Sequence, residues 1–281
     1  MTLLTISLAQ MDPAWAQPEV NLARTRELAL EAGRRGSDLV LFPELWLSDY
    51  DLAHAQKYAS APGSGAFALL SDVARQGSVH LVGSLLETDG ERMYNTAALF
   101  APRGELVAAY RKTHLFAPMG EVRYLHSGNE LPVFDLPWGR CALAICYDLR
   151  FPEVFSHYAA AGARIAFLVA QWPLRRVAHW QTLIRARAIE NQMFVAACNR
   201  VGQAGDERFG GHSVICNPWG QEVVEGGENE VLLTAQIDLA LVEQVRTQSP
   251  FLADRRPELY RGYLTGRRGT TPGGHTHNRR E

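Results

Sequence analysis

The sequence predicts an α/β protein in which helices cover mixed β-sheets. Three observations lead to this prediction: short runs rich in Val, Ile, Leu and Ala recur along the chain, helix-forming stretches separate some of these runs, and turn dipeptides separate others. A set of about ten strands tends to divide into two packed layers. We therefore expect two sheets with helices packed against them.

The predicted strands are apolar runs with the length and composition that buried strands favour. They lie at residues 4–10, 38–44, 80–87, 97–102, 106–112, 141–146, 164–170, 194–199, 213–218 and 231–238. Asp89-Gly90 and Arg103-Gly104 each lie between two consecutive runs, and both dipeptides indicate hairpin turns. Part of the predicted sheet structure is therefore antiparallel.

The predicted helices lie at residues 18–36, 65–77, 151–162 and 179–192. The first three end at Gly36, Gly77 and Gly162, as the left-handed C-cap of a helix favours. The fourth repeats apolar residues at near-helical spacing and contains no helix breaker. A helix followed by a strand occurs in the first third of the chain and again between residues 151 and 199, so we expect mixed sheets.

The composition argues against two classes of partner. The chain of 281 residues is 47% hydrophobic and 21% charged, with a formal net charge of -2, and these values are typical of soluble globular proteins. Neither the charge nor its distribution indicates binding to a nucleic acid or to a membrane surface. We therefore expect neither of these partners.

The N-terminal segment and the cysteines bear on where the protein works. Ala14-Trp15-Ala16 resembles a signal-peptidase site, but no Lys or Arg precedes it, so we interpret the apolar stretch before it as a strand. No apolar run approaches the ~20 residues of a membrane-spanning helix. The cysteines show neither C-x-x-C spacing nor the density of a disulfide scaffold; they are Cys141, Cys146, Cys198 and Cys216. We therefore expect a reduced, cytoplasmic protein.

Reactive side chains gather at the carboxyl ends of the predicted strands, which is where open α/β sheets bind ligands. These ends deliver Glu44, Lys112, Cys146, Gln171 and Trp172. The first three differ in chemistry, since they are a carboxylate, an ammonium group and a thiol. Such a set can supply a base, a cation and a nucleophile.

Cys146 differs from the other cysteines in its surroundings. A buried free cysteine is usually a small inert hydrophobe, and we interpret Cys141, Cys198 and Cys216 in that way. Cys146 directly precedes a predicted helix. A thiol near a helix N-terminus and beside a cation has its thiolate form favoured, and Lys112 is the candidate cation. We therefore expect Cys146 to be a nucleophile.

Glu44 is the candidate general base. It follows mostly apolar residues and precedes Leu45 and Trp46, so we expect it to be buried. A carboxylate deprived of water is a better proton acceptor than an exposed one, because desolvation raises its pKa. The alternative is a structural role, in which Glu44 forms an ion pair with an arginine.

Two other kinds of site remain open from the residues. A Cys-His pair would need a histidine within reach of Cys146; the candidates are His114, His126, His179 and His212. Metal binding has weaker support, because no H-E-x-x-H or paired Cys/His spacing occurs, and we expect His275 and His277 to lie in a solvated end. The sequence contains no Walker loop and no G-x-G-x-x-G, and we expect no cofactor.

Three motifs together resemble those of the nitrilase superfamily of carbon-nitrogen hydrolases. They are F-P-E at 42–44, Y-R-K-T-H-L-F at 110–116 and C-Y-D-L-R-F-P-E at 146–153. They occur in the order that the family shows, so the joint signal is stronger than any one of them. The similarity extends from I-S-L-A-Q-M-D near the start to the segment Pro250–Tyr260.

The resemblance implies an α-β-β-α sandwich, in which two mixed β-sheets pack face to face with helices on the outside. It implies a single domain, which we place at 1–264, and a homodimer or higher homo-oligomer formed through the outer helices. Residues 265–281 are rich in Gly and Arg and lack apolar periodicity, and we expect a mobile tail there.

The resemblance also implies a Glu-Lys-Cys site, with Glu44 as general base, Lys112 as cationic stabiliser and Cys146 as nucleophile. A second glutamate recurs in the family between the Lys and Cys motifs. Glu121 is its best match in this chain, and Glu130 is the competing assignment.

The reaction follows from the branch that the chain resembles. C-Y-D-L-R-F, with R-A-I-E-N-Q and C-N-R-V-G further on, is similar to the omega-amidase and nitrilase-like amidase branch, whereas true nitrilases usually carry Cys-Trp-Glu. Enzymes of that branch hydrolyse terminal amides of small carboxylates, typically 2-oxoglutaramate or 2-oxosuccinamate. The resemblance implies an amidase that releases ammonia through a Cys thioester. The alternatives are a deaminated glutathione amidase, an N-carbamoyl amide hydrolase and a non-catalytic scaffold.

Four further residues are candidates for substrate binding: Tyr147, Arg150, Phe116 and Trp172. The backbone N–H of Tyr147 would meet the oxyanion. Arg150 would hold the carboxylate of an acidic substrate, because a guanidinium binds a carboxylate bidentately, or else it would pair with Asp148 or Glu153. Phe116 and Trp172 would line the pocket or else belong to the core.

Overall fold

The structure of this protein is a computed structural model that describes residues 3–264. The tail predicted at 265–281 lies outside the described residues, as do His275 and His277. No α-helix within the described range combines the length and the apolarity needed to cross a membrane.

The described part of the chain contains fourteen strands. They are β1 (Leu3–Gln10), β2 (Leu39–Leu41), β3 (His80–Asp89), β4 (Arg92–Phe100), β5 (Leu106–Arg111), β6 (Val133–Leu136), β7 (Gly139–Ile145), β8 (Ile165–Ala170), β9 (Phe194–Asn199), β10 (Val201–Ala204), β11 (Glu207–Gly210), β12 (Val214–Cys216), β13 (Glu222–Glu225) and β14 (Val231–Asp238).

The same range contains eight α-helices and four short 3-10 helices. The α-helices are α1 (Pro18–Arg34), α2 (Ala55–Tyr58), α3 (Gly65–Gly77), α4 (Glu121–Tyr124), α5 (Pro152–Ala160), α6 (Val177–Asn191), α7 (Ala240–Gln248) and α8 (Pro257–Leu264). The 3-10 helices are Leu52–His54, Ala117–Met119, Cys146–Arg150 and Leu174–Arg176.

Two six-stranded sheets form from these described strands. The first has the order β14-β1-β2-β3-β4-β5 and the second the order β13-β12-β9-β8-β7-β6. Both are mixed, because β1, β2 and β3 run parallel in the first and β7, β8 and β9 in the second, while the other neighbours pair antiparallel. β10 and β11 form a separate hairpin.

The two sheets pack face to face, and helices cover their outer faces. β1 lies against β9, β3 against β8, and β4 and β5 against β7. α1 and α3 pack together on the first sheet, and α5 and α6 pack together on the second. The largest apolar cluster contains residues of both sheets. This arrangement confirms the α-β-β-α sandwich.

The central strands are apolar along their whole length because both of their faces are covered. Every residue of β8 and of β9 is buried. Burying one aliphatic side chain of this kind stabilises a fold by about 1.5–3 kcal/mol. The apolar runs of the sequence therefore become the middle of the second sheet.

α1 and α3 approach closely at a glycine. A Cβ atom on Gly33 would lie 2.3 Å from the carbonyl oxygen of Gly77 at the end of α3. Real side chains do not reach that distance, so only glycine at this position permits the observed packing of the two helices. This contact sets the outer layer on the first sheet.

All ten predicted strands overlap strands of the structure, and both predicted hairpin turns join consecutive strands of the first sheet. The strands without a predicted counterpart, β6, β10, β11 and β13, are short and partly exposed, so they lack an apolar run. The helices α2, α4, α7 and α8 were also missed, and the first two have only four residues each. α7 buries only Val242 and Val245, which gives a weak helical pattern.

Candidate active site

The candidate residues reach one place from both sheets. Glu44 follows β2 and Lys112 follows β5 in the first sheet, while Cys146 follows β7 and Gln171 follows β8 in the second. The side chains of Glu44 and Lys112 are fully buried, and Cys146 is 9% exposed. The site is therefore assembled by the packing of the two layers.

A buried cluster of two carboxylates and one ammonium group forms its centre. Lys112 Nζ lies 2.8 Å from Glu44 Oε1 and 2.7 Å from Glu121 Oε1, and all three side chains are fully buried. The hydroxyl of Tyr50 lies 2.7 Å from each of the same two oxygens. A tyrosine hydroxyl carries one proton, so it donates to one carboxylate at a time.

The structure places Glu121, and not Glu130, beside Lys112. Glu121 begins α4, and its Oε2 accepts the backbone N–H of Phe116. Glu130 is exposed to solvent and lies along a different cavity. Of the two assignments left open by the sequence, only Glu121 has the geometry to act on Lys112.

The two oxygens of Glu44 have different environments. Oε1 accepts from Lys112 Nζ and from Asn95 Nδ2, each at 2.8 Å, and it also faces Tyr50. Oε2 accepts the backbone N–H of Gln171 at 3.1 Å. A carboxylate oxygen can accept two hydrogen bonds, so Oε2 has a free acceptor position where Oε1 has none.

Cys146 sits on a sharp turn between β7 and the 3-10 helix Cys146–Arg150. Its φ of 44° lies in the left-handed region, which residues other than glycine seldom adopt. Asp148 holds this turn, because its Oδ2 accepts the N–H of Ile145 at 3.0 Å and the hydroxyl of Tyr110 at 2.8 Å. The thiol lies 3.8 Å from the carbonyl oxygen of Gln171.

The surroundings of Cys146 raise the pKa of its thiol and so favour the protonated form, in contrast to the expected thiolate. Burial raises the pKa of Cys146, and the negative charges of Glu44 and Glu121 raise it further, whereas Lys112 lowers it. The net result is a pKa well above the ordinary value, because burial of the thiol and the two carboxylates together outweigh the single ammonium group. The expected helix N-terminus is also displaced, since α5 begins only at Pro152.

Lys112 and Tyr50 both keep their protons in this cluster. Burial lowers the pKa of Lys112, but the negative charges of Glu44 and Glu121 raise it by more, so the side chain stays an ammonium group. Burial and the charges of Glu121 and Glu44 raise the pKa of Tyr50 well above its ordinary value. Both side chains therefore act as hydrogen-bond donors.

The other three cysteines are buried and unpaired. Burial raises the pKa of Cys141 to about 12 and that of Cys216 to about 11. Burial likewise raises the pKa of Cys198. These thiols have no lysine and carboxylate cluster around them, in agreement with the inert role expected from the sequence.

A small pocket opens above the thiol. Its empty volume is about 310 Å³, part of which is open solvent. The residues that line it are Tyr50, Phe116, Met119, Cys146, Tyr147, Arg150, Gln171, Trp172, Pro173 and Arg176. All four residues predicted to bind substrate are among them, so Phe116 and Trp172 line the pocket rather than only filling the core.

Arg150 forms no ion pair with any residue that the structure describes, so the expected alternative of pairing with Asp148 or Glu153 is wrong. Its guanidinium lies over the ring of Trp172, 4.6 Å from the ring centroid, and 3.5 Å from His179 Nδ1. Asp148 is already occupied by the turn that it holds. The charge of Arg150 is therefore free to face a ligand.

The histidines have partners other than the thiol. His114 Nδ1 lies 2.8 Å from Asp148 and His212 Nδ1 lies 2.8 Å from Glu225. Within residues 3–260, no histidine forms a hydrogen bond with Cys146, so the Cys-His alternative is wrong. In the same range, no group of three or more His, Cys, Asp or Glu side chains is placed to hold a metal ion.

The comparison with known families agrees with this geometry. A family model described as carbon-nitrogen hydrolase matches residues 5–247 of the chain. The chain belongs to the carbon-nitrogen hydrolase family. The resemblance inferred from the three motifs is thereby confirmed, and the protein is a hydrolase of carbon-nitrogen bonds other than peptide bonds.

Relatives of this carbon-nitrogen hydrolase match it over most of their length. It is 40% identical to the 2-oxoglutaramate amidase of Bacillus subtilis over 257 residues, which cover 91% of this chain and 99% of the relative. It is 34% identical to the omega-amidase of Homo sapiens over 277 residues, covering 92% and 98% of the two chains.

A solved structure matches a similar share of this chain. It is a mutant of the amidase from Nesterenkonia sp. AN1 that shows covalent addition of the acetamide moiety of fluoroacetamide at the active-site cysteine. Its TM-score to this hydrolase is 0.83, with 30% sequence identity, and the match covers 93% of this chain and 97% of that one.

Several site residues of this hydrolase escaped the sequence reasoning. Tyr50 and Asn95 contact Glu44, but Tyr50 lies in an irregular segment and Asn95 lies inside β4, so neither follows a strand end. Gln171 was located without a role, although its side-chain amide donates to the carbonyl oxygen of Glu44 at 2.8 Å. Arg176 carried no signal other than its nearness to Trp172 in the sequence.

Proposed function

We propose that the protein is an omega-amidase-like enzyme that hydrolyses the terminal amide of a small carboxylate, such as 2-oxoglutaramate or 2-oxosuccinamate, through a thioester on Cys146. The observation that carries the proposal is the buried cluster of Glu44, Lys112 and Glu121 next to Cys146. The names of relatives that share 34% to 40% of their residues with this chain support the same substrate class.

In the first step the sulfur attacks the amide carbon while Glu44 takes the thiol proton. The raised pKa favours the protonated thiol, and the charge of Glu44 acts on it, so proton transfer to Glu44 accompanies the attack. We assign Glu44 Oε2 as the receiving atom, because Oε1 already accepts from Lys112 and Asn95. General base catalysis of this kind contributes about 10²- to 10⁴-fold.

Two donors stabilise the oxyanion that the attack creates. A lysine ammonium group has three N–H donors, and Glu44 and Glu121 occupy two of them on Lys112, which leaves the third for the oxyanion. The backbone N–H of Tyr147 is the second donor, because a residue at the start of a 3-10 helix has no acceptor within the helix. Removing one such donor typically lowers kcat by about 10²- to 10³-fold.

The intermediate collapses when Glu44 returns its proton to the leaving nitrogen. The C–N bond breaks, ammonia departs and the acyl group remains on the sulfur as a thioester. Water then attacks the thioester, Glu44 accepts a proton from the water, and the carboxylic acid leaves as the thiol is reprotonated. One carboxylate therefore serves both halves of the reaction, and no histidine is needed.

Glu121 acts as a positioning residue in this scheme. Its Oε1 lies 2.7 Å from Lys112 Nζ, and its Oε2 accepts the N–H of Phe116, which lines the pocket. It therefore links the ammonium group to the pocket wall. Arg150, with no acidic partner in the described residues, is proposed to bind the carboxylate of the substrate.

The test is ammonia release from a panel of amides by the wild type and by Cys146→Ala. We expect turnover of 2-oxoglutaramate and 2-oxosuccinamate, and loss of both activities in the variant. Cys141→Ala, which changes a buried cysteine near the start of β7, is the matched control and should keep its activity. Turnover by Cys146→Ala at the wild-type rate would contradict the proposal. Preference for deaminated glutathione or for N-carbamoyl compounds would contradict the substrate class alone.

We also propose that two copies associate through the outer helices of the second sheet. Ile189 on α6 is 46% exposed and Trp219 is 43% exposed. Gly220, which follows Trp219 in the chain, lies beside Ile189, since a Cβ atom on Gly220 would lie 2.5 Å from Ile189 Cδ1. An exposed apolar group on an outer helix favours association.

Light scattering of the protein as it elutes from a size-exclusion column should give the mass of a dimer. Ile189→Lys should weaken this dimer. A monomer at all protein concentrations would contradict the proposed association.

A cytoplasmic location is proposed on the chemistry of the cysteines. All four cysteines are free thiols, and the proposed reaction needs Cys146 reduced. Fractionation of the source cells should find the protein with cytoplasmic markers. Recovery in a secreted or membrane fraction would contradict this location.

A further inference from the structure

Two guanidinium groups line the pocket without an acidic partner. Arg150 lies over Trp172, and Arg176 lies over Phe116 with 5.4 Å between its guanidinium carbon and the ring centroid. Among the described residues neither arginine forms an ion pair, and the side chain of Arg176 donates no hydrogen bond. The neighbouring Arg175, in contrast, forms an ion pair with Glu207 outside the pocket.

The two positive charges repel each other across the pocket. Burial lowers the pKa of Arg176, and the charges of Arg175 and Arg150 lower it further. Like charges that face one cavity destabilise the unliganded site, and an anion between them removes that repulsion. A guanidinium also keeps its donor edge free when its face lies on an aromatic ring, so both groups can still donate to a bound anion.

Arg176 is held in place by its own backbone. Its carbonyl oxygen accepts the indole N–H of Trp172 at 2.8 Å, and its N–H donates to the carbonyl oxygen of Pro173 at 3.0 Å. It ends the 3-10 helix Leu174–Arg176, directly before α6. The guanidinium is therefore carried by a fixed turn and not by a loose loop.

We propose that Arg176 is a specificity-determining residue that forms, with Arg150, a two-arginine clamp for the anionic end of the substrate. This inference rests on the proposed amidase function and deepens it. The clamp selects amides whose far end carries a carboxylate. A 2-oxo acid fits it best, because its carboxylate and its adjacent oxo group offer acceptors to two guanidinium groups. A neutral amide of the same length lacks the group that relieves the repulsion.

The first experiment compares kinetics for 2-oxoglutaramate and for the neutral amide pentanamide. Arg176→Gln should raise KM for 2-oxoglutaramate roughly 10- to 100-fold, because a hydrogen bond to a charged group is lost, and should change KM for pentanamide by a much smaller factor. The KM of Arg176→Lys for 2-oxoglutaramate should lie between those of the wild type and Arg176→Gln, because lysine keeps the charge but lacks the paired N–H donors of a guanidinium. Arg175→Gln, next in the chain but outside the pocket, is the matched control and should match the wild type. Equal effects of Arg176→Gln on both amides, or no effect on either, would overturn the clamp.

The second experiment measures binding without turnover. Titration calorimetry with 2-oxoglutarate, the acid that the reaction would release, should give weaker binding to Arg176→Gln than to the wild type by roughly tenfold or more. The double variant Arg150→Gln/Arg176→Gln should lose less binding free energy than the sum of the losses in the two single variants, because both groups hold one anion. If the wild type hydrolyses no amide, this titration still decides the clamp. Unchanged affinity in Arg176→Gln would overturn the clamp and leave the amidase proposal intact.

Discussion

In the proposed mechanism, Glu44 acts through one of its two oxygens. Oε1 is held by Lys112 and Asn95, whereas Oε2 accepts only the backbone N–H of Gln171 among the described donors. The hydrogen bonds to Oε1 fix the position of the carboxylate, and Oε2 keeps a free acceptor position for a proton. This division explains how a buried side chain can be rigid and still act as a base.

The first prediction tests this division. Glu44→Gln keeps the size of the side chain and part of its hydrogen bonding but cannot accept a proton. We expect kcat for 2-oxoglutaramate to fall by at least about 10²-fold with the fold intact by circular dichroism. Glu130→Gln, at the exposed glutamate first considered for the site, is the control and should behave as the wild type. A kcat of Glu44→Gln near the wild-type value would show that another group is the base.

The second prediction concerns the resting state of Cys146. Because its pKa is raised, the thiol stays protonated at a pH where a free cysteine is partly ionised, and the thiolate appears only at higher pH. The difference in absorbance at ~240 nm between the wild type and Cys146→Ala should therefore show no thiolate near neutral pH. A thiolate signal at pH 7 that vanishes in Cys146→Ala would mean that Lys112 outweighs the two carboxylates.

Sequence reasoning located three of these side chains because strand ends are visible in a sequence. Glu44, Lys112 and Cys146 each follow an apolar run. The shift in the pKa of the thiol was not visible, because it depends on how deeply the sulfur is buried and on the charges that surround it. A single cation near a cysteine suggested a thiolate, whereas burial of the sulfur and the charges of Glu44 and Glu121 raise the pKa of the thiol by more than Lys112 lowers it.

At the level of elements, the turn that carries Cys146, the proposed nucleophile, depends on Asp148. Its Oδ2 accepts from Ile145 and Tyr110, and its Oδ1 accepts from Thr113 and the N–H of His114. These bonds join the end of β7 to the loop after β5. They compensate for the positive φ of Cys146, which such a network must hold in place.

The third prediction concerns this network. Asp148→Asn replaces one acceptor oxygen with an amide group, so it leaves one buried N–H donor without an acceptor. We expect the free energy of unfolding in urea to fall by about 1–3 kcal/mol, and kcat to fall because the sulfur is less well placed. Asp135→Asn removes an exposed carboxylate on β6 that pairs with Arg140 and is the control, with little change expected. Equal stability of Asp148→Asn and the wild type would contradict this account.

The elements themselves show where a sequence is informative. β8 and β9 are predictable because burial on both faces demands a continuous apolar run. β10 and β13 are not, because an edge strand or a small hairpin leaves most side chains in solvent and needs no such run. Pairing partners also stay hidden, since β1 pairs with β14 from the far end of the chain.

For the whole molecule, the site is a product of the sandwich. The first sheet supplies Glu44 and Lys112, and the second supplies Cys146 and Gln171. Neither sheet alone supplies all three of the proposed base, cation and nucleophile. Loss of the packing between the sheets must therefore separate these candidate groups.

The fourth prediction follows from this arrangement. Activity and tryptophan fluorescence should be lost over the same range of urea concentration, because the two layers share one apolar cluster and the site spans them. Activity and fluorescence are both recorded for the wild type at one protein concentration. Two separate transitions, or activity that persists after the fluorescence change, would show that the layers unfold independently.

The most direct test of the central claim is mass spectrometry of the protein quenched in acid during turnover of 2-oxoglutaramate. We predict an adduct whose mass is that of the substrate less ammonia. The tryptic peptide 141–150 contains both Cys141 and Cys146, so fragmentation must assign the group, and we predict that it lies on Cys146. Turnover with the acyl group on any other residue, or turnover that continues in Cys146→Ala, would contradict the account.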